Sequence, residues 1–346
     1  MEADMFWWVI SDWAQAPALV MARAGYDVWL GNNRGTKWSL DHLTLNNKKK
    51  EYWEFDWEDM GTQDTPTALN YITKTTGFEK VTYIGHSEGT SQIVSGSTLV
   101  PDVYRDKVNL AVLLAPPISM KNTDVALLNL MSLPVNVHII TSMIETIHLY
   151  SVLPYGYLTS GVAGAFCSLF NGKLCDLVMG MFVDNDPTVD DQDRYPVMMS
   201  YLPAGCGYKN IIHYGQGINR KTQGYWRYDY GKKENVKKYG SETPPQYDLS
   251  KIDYPVAILG GSQDLLADTK DVDWLNEQIK EHVVFYHQYY LGHISFAIAK
   301  DMSWFTVDVM ALVNHYNNIC QESTLGSRFE EGNAKCLEHF EAQQFL

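Results

Sequence analysis

The chain has 346 residues, 45% of them apolar and 13% aromatic, with no low-complexity tract, so it holds the material of a packed core and is not a disordered polypeptide. Its 41 acidic and 27 basic side chains leave a net charge of −14, the wrong sign for a surface that neutralises phosphates, which sets nucleic acid aside as a partner. The length admits two average domains or one α/β domain carrying a large insertion.

In chain order, the first ten residues carry Glu2 and Asp4 where a secretion signal needs basic residues, and their apolar stretch is too short for one. Pro17 to Ala24 reads as a helix, and Tyr26 to Leu30 as a β-rich run closed by Gly31, a predicted first strand. The basic run Lys48 to Lys50 meets Glu51 at once and reads as a solvated loop. A second helix is predicted from Asp64 and Thr65, with Pro66 in its first turn, Leu69 and Ile72 on one face and Gly77 at its end. Strands are predicted at Val81 to Gly85, Asn109 to Ala115, Tyr254 to Gly260 and Val283 to Leu291. Strands alternating with helices imply βαβ units around a parallel sheet, with ligands at the carboxyl ends of its strands.

Well over a hundred residues separate the strand ending at Ala115 from the one beginning at Tyr254. They include the helical stretches Val125 to Leu133 and Ile139 to Leu153 and an aromatic-rich region, Tyr225 to Tyr230. The apolar neighbourhood Val135 to Leu153 is broken by Asn136, His138, Glu145 and His148, so it reads as a buried or lid helix rather than a membrane span. The insertion is either a second structural layer or a cap; its emergence where the sheet's loops converge favours the cap. The expected division is a core of 1–116 and 244–320, a cap or lid at 117–243 and a polar C-terminal extension at 321–346, which holds Cys336. Five cysteines are an odd number for a disulfide framework, although Cys167 and Cys175 are close enough in sequence to close a small loop.

The chemistry rests on Gly85-His86-Ser87-Glu88-Gly89, a Gly-x-Ser-x-Gly pattern. The pattern alone is short enough to arise by chance. Here a predicted strand precedes it and the helix-compatible Thr90 to Val94 follows, the strand–turn–helix setting of a nucleophile elbow. Glycine on either side of Ser87 is expected to let strand and helix approach. A serine hydroxyl needs a base, commonly a histidine held by a carboxylate, and in this fold both follow in the order Ser, acid, His. Asp264 lies just past the strand at 254–260 and His293 just past the last strand. Asp268, Asp271 and Asp273 run into the next helix, His287 lies within the last strand and His282 before it, so these rivals are worse placed. His293 alone reads as an ordinary loop histidine; with Ser87 and Asp264 it reads as a catalytic base.

The chain resembles the acid lipases, the group that includes gastric lipase and lysosomal acid lipase, from about Trp8 to Tyr316. The likeness is carried by Ala24 to Asn32 with Arg34-Gly35, the elbow, Pro203-Ala204-Gly205, and Gly260-Gly261 through Asp264 to Asp268. It implies an α/β-hydrolase fold with a mostly parallel sheet, flanking helices and a helical cap after Pro116. It also implies a triad of Ser87, Asp264 and His293, an oxyanion donor at the backbone N–H of Glu88, no cofactor or metal, and triacylglycerols or cholesteryl and other fatty-acyl esters as substrates. A lipid substrate suggests contact of the cap with a membrane or lipid-droplet surface.

Three departures from the family pattern stand out. Glu88 replaces the family's Gln, placing an acid near developing negative charge; His293-Ile294-Ser295-Phe296 replaces His-Leu-Asp-Phe, removing an acidic neighbour. The family's His-Gly-Leu oxyanion segment and its strand belong before Asp4, where three residues stand. The expectation is a gap between the strand at 26–30 and the elbow strand, filled by the rest of a longer chain or by a partner polypeptide. Two functions follow: a serine carboxylic-ester hydrolase working through an acyl-enzyme, or a weakened relative serving as a lipid-binding or scaffold subunit. The three retained stations favour the first.

Overall fold

A computed structural model of the chain describes residues 4–152, 154–156 and 183–317. Its strands are β1 (Val81–His86), β2 (Val108–Leu114), β3 (Ser151–Val152), β4 (Cys206–Gly207), β5 (Val256–Gly261) and β6 (Val283–Tyr289). β1, β2, β5 and β6 lie side by side in that order, all parallel, while β3 and β4 form a separate antiparallel pair. The helices of the first part are α1 (Pro17–Arg23), α2 (Thr65–Thr76), α3 (Glu88–Leu99) and α4 (Pro101–Lys107). Those between β2 and β5 are α5 (Ala126–Ser132), α6 (Pro134–Ile147), α7 (Tyr195–Tyr201), α8 (Tyr208–Ile218) and α9 (Lys232–Tyr239). The last part adds α10 (Thr269–Gln278), α11 (Ser295–Ile298) and α12 (Met310–Tyr316).

β2 reads Val-Asn-Leu-Ala-Val-Leu-Leu, the near-continuous apolar run of a strand covered on both faces, and Leu110 to Leu114 are all buried. Ile93 and Val94 of α3, Val272 and Leu275 of α10 and Leu312 and Val313 of α12 pack into the same core, each large side chain contributing about 1.5–3 kcal/mol by its removal from water. α2 runs as its sequence predicts, with Pro66 in the first turn and Gly77 closing it in the left-handed region (φ 81°) while its N–H bonds the Thr73 carbonyl.

One predicted strand does not form. Tyr26 to Leu30 has no ladder partner among the described residues, and β-rich composition without a neighbouring strand to bond gives only extended chain. Its first residue turns back instead, the Tyr26 N–H bonding the Met21 carbonyl at 3.1 Å, and Trp29 and Leu30 are exposed. β1 consequently forms an edge of the described sheet and is largely half-buried, where β5 is buried throughout.

Between β2 and β5 the described segments are mainly helical. The stretch expected as a helix from Ile139 to Leu153 begins earlier, at Pro134, and ends at Ile147, where His148 takes a left-handed conformation (φ 55°); Leu153 lies outside the described residues, as do Cys167, Cys175 and the extension 321–346. No helix among the described residues is long and apolar enough to cross a membrane. The seam between α8 and the first part of the chain is charged. Asp56 caps the short turn Trp57–Asp59 by accepting from the Glu58 N–H, and its carboxylate lies 3.1 Å from Lys209 Nζ and 3.3 Å from His213 Nδ1. Trp57 stacks on His213 with ring centroids 3.6 Å apart. Burial opposes the charge on Asp56, but His213 and Lys209 outweigh it and hold this carboxyl well below its ordinary range.

Candidate active site

β1 ends at His86 and α3 begins at Glu88, so Ser87 alone makes the turn between strand and helix. Its φ of 52° and ψ of −118° lie where a non-glycine residue is strained by on the order of 1–3 kcal/mol. The surroundings hold it there: the Ser87 N–H donates to the Leu114 carbonyl at 2.9 Å, and the Ser87 carbonyl accepts from the N–H and hydroxyl of Thr90 at 2.9 and 2.6 Å. A Cβ on Gly85 would stand 2.8 Å from the Tyr83 ring and 2.9 Å from the Gly89 carbonyl carbon, so that glycine is required by close approach. Gly89 is not: a Cβ there would meet the Tyr83 hydroxyl at 3.5 Å, an ordinary contact. The expectation of a steric need on both sides of the serine is thus corrected to one side.

Ser87, His293 and Asp264 come together from three loops at the carboxyl ends of β1, β6 and β5. Ser87 Oγ lies 2.7 Å from His293 Nε2, and His293 Nδ1 lies 2.8 Å from Asp264 Oδ2. A carboxylate can only accept, so Nδ1 carries the proton and Nε2 is left to accept from the serine hydroxyl. The other oxygen of Asp264 accepts from the N–H groups of Leu266 and Ala267, both at 2.8 Å, which fixes the carboxylate's plane. All three residues are buried. The three rival carboxylates are occupied elsewhere: Asp268 caps α10, Asp271 binds Ser119, Asn122 and Gln223, and Asp273 binds Tyr286 and Gln288, while His287 is exposed on β6 and His282 precedes that strand.

Glu88 is the first residue of α3, and its N–H has no acceptor among the described residues, the condition of a helix's leading amides. Its carboxylate is engaged: the Gln92 amide donates to one oxygen at 3.2 Å, and the amide of Asn210, from α8 in the insertion, donates to the other. Asn210 also accepts from the Trp57 N–H at 3.0 Å, so one buried side chain ties the elbow to the insertion.

The loop bearing His293 is held at nearly every polar backbone group. The Gly292 N–H donates to Ser295 Oγ at 2.9 Å, and the His293 carbonyl accepts from His86 Nε2 at 2.9 Å. Burial, with His293 adding to it, keeps His86 well below the usual histidine range, so it acts as a neutral donor while its ring stacks on Trp7. The N–H groups of His293 and Ile294 both turn to the carboxylate of Asp184, from the insertion. Sequence reasoning named neither Asp184 nor Asn210. Among the described residues, no three His, Cys, Asp or Glu side chains gather as a metal site.

A parallel sheet with a strained serine after its strand, an acid after β5 and a histidine after β6 defines the class of the α/β hydrolases. The family description for the alpha/beta hydrolase fold matches residues 4–297. Human lipase member K is 31% identical over 287 residues, spanning 82% of this chain and 70% of its own length. Human lipase member J is 31% identical over 299 residues, spanning 86% and 77%, and gastric triacylglycerol lipase of Bos taurus is 29% identical, spanning 82% and 70%. In three dimensions a lipase-like protein from Sulfolobus solfataricus shares the fold with a TM-score of 0.55, at 14% identity, over 92% of this chain and 83% of that one. The chain belongs to the acid lipase-like branch of the α/β-hydrolase family, and on that membership it is grouped with the lipase-type carboxylic ester hydrolases.

Proposed function

We propose that the chain hydrolyses fatty-acyl esters by serine acyl transfer. The observation that carries this is the unbroken chain of hydrogen bonds from Ser87 Oγ through His293 to Asp264. His293 Nε2 takes the hydroxyl proton as Ser87 Oγ bonds to the ester carbonyl carbon, and Asp264 stabilises the resulting imidazolium. The Glu88 N–H donates to the carbonyl oxygen as it becomes an oxyanion. Collapse breaks the bond to the alcohol, which leaves with the proton from His293; water then attacks the acyl-enzyme by the same route and releases the acid.

An apolar acyl chain fits the relatives' lipase names, and triacylglycerols and steryl esters are the substrate classes to try first. Along α6, Val135, Ile139, Met143 and Ile147 recur every fourth residue and are 49–63% exposed. This stripe supports contact of the insertion with a lipid surface. The outer edge of β1 is where a partner chain could add a strand. Rates on p-nitrophenyl esters of increasing acyl length, with Ser87→Ala as control, test the reading: activity rising from acetate to longer chains and lost in the variant supports it, and no Ser87-dependent hydrolysis sinks it. No observation on the described residues favours a non-catalytic scaffold.

A further inference from the structure

Asp184 is fully buried in a strap of the insertion that runs antiparallel to the loop bearing Asp264. The Leu265 N–H bonds the Val183 carbonyl at 3.0 Å and the Asn185 N–H bonds the Gln263 carbonyl at 2.8 Å, so the strap and the acid's loop move as one. From this position one Asp184 oxygen accepts from the His293 N–H and the other from the Ile294 N–H at 3.4 Å. Successive backbone N–H groups converging on one carboxylate form an anion-binding concavity. Gly292 makes room for it, since a Cβ there would overlap the Asp184 carboxyl.

We propose that Asp184 is a positioning residue for the reaction, fixing the backbone of His293 while Asp264 fixes its ring. This rests on the esterase reading. An imidazole gripped only at Nδ1 could swing with its loop; gripped also at its own N–H, it keeps Nε2 on Ser87 through both proton transfers. The titratable groups facing Asp184 are Asp264 from the loop after β5, Asp190 farther along the insertion, and His293. Burial first, then Asp264 and Asp190, push the Asp184 carboxyl well above its ordinary range, against the pull of the two N–H bonds. The hold on His293 therefore rests on the two carboxyl oxygens as acceptors and not on a charge.

The test compares the chain with Asp184→Asn and Asp184→Ala, reading kcat and KM for p-nitrophenyl butyrate, thermal unfolding, and the low-field proton NMR signal of the Nδ1–H between His293 and Asp264. Asn keeps the shape but loses one acceptor. It should lower kcat by about tenfold to a hundredfold with KM within about twofold. The variant should stay folded, because Asn fills the same space and keeps one of the two acceptors. Ala should lose more rate and also stability. Wild-type kcat in Asp184→Asn would overturn the proposal, as would a rate loss that only tracks unfolded protein. Should the parent chain hydrolyse nothing, the esterase reading fails by itself. The positioning role is then read from the NMR signal, which should be present in the parent and broadened or absent in Asp184→Asn; an identical signal in both refutes it.

Discussion

The first and last parts of the chain and the insertion between them contribute differently to the site. The parts that build the sheet supply the groups proposed to react, Ser87, Asp264 and His293, each at the carboxyl end of a strand. The insertion supplies groups that hold others in place: Asn210 on Glu88, Asp184 on the backbone of His293, and Lys209 and His213 on Asp56. The first set is exchangeable only at the expense of chemistry, the second at the expense of geometry or stability. Ser87→Ala is the extreme of the first kind. It should lower kcat by about a millionfold, as loss of a nucleophile does elsewhere, with the denaturant midpoint unchanged; a residual rate near the parent's would remove Ser87 from the mechanism.

The opposite extreme is Asp56→Ala. It leaves Lys209 buried without its main counter-charge and should cost about 3–5 kcal/mol in unfolding free energy at neutral pH. Because the Asp56 carboxyl is held below its ordinary value, its contribution is fully present above the unfolded carboxyl range and is lost as pH falls below that range towards the depressed folded value. Urea unfolding at pH 7 and pH 2 checks both statements, and an equal loss at the two values would contradict the ion-pair account. Where enough protein stays folded, the rate per folded molecule should change little, the reverse of Ser87→Ala.

Legibility in the sequence divides along the same line. The elbow could be read because strand, turn and helix are neighbours in the chain, and Asp264 and His293 because strand order fixes their stations. Tyr26 to Leu30 misled because a strand exists only by pairing, and its composition says nothing of whether a neighbour is bonded to it. Gly89 misled because a motif does not say which of its glycines is crowded. Asp184 gave no signal at all, because its contact with His293 spans 109 residues. Asn210 is one polar residue on a helix, distinguished only by what α8 packs against.

Asn210 lies between the extremes. Asn210→Ala removes a donor from the Glu88 carboxylate and the acceptor of the Trp57 N–H, for about 1–3 kcal/mol of stability. Because Glu88 carries the proposed oxyanion amide, kcat should also fall, by about tenfold, with KM nearly fixed. A loss of stability with kcat intact would place Asn210 wholly with Asp56, as a seam residue without bearing on the elbow.

The smallest effect expected is that of His86, and it tests whether a group of the sheet can act as a holder too. His86 donates from Nε2 to the His293 carbonyl and is kept well below the usual histidine range by burial and then by His293. The unfolded chain takes up a proton there near pH 6.5, while the folded chain does not until lower pH. Stability from this group is therefore full above about pH 6.5 and is lost as pH falls below it, at up to about 1.4 kcal/mol per pH unit. His86→Gln retains a donor for the His293 carbonyl and cannot titrate. Many carboxylates also change protonation in this range, so the absolute slope is uninformative, and the difference between variant and parent is what isolates His86. That difference, from urea unfolding at pH 8, 7, 6 and 5, should be near constant from 8 to 7 and then shift towards the variant; a flat difference down to pH 5 would mean that the folded protein accommodates a charged His86 without cost.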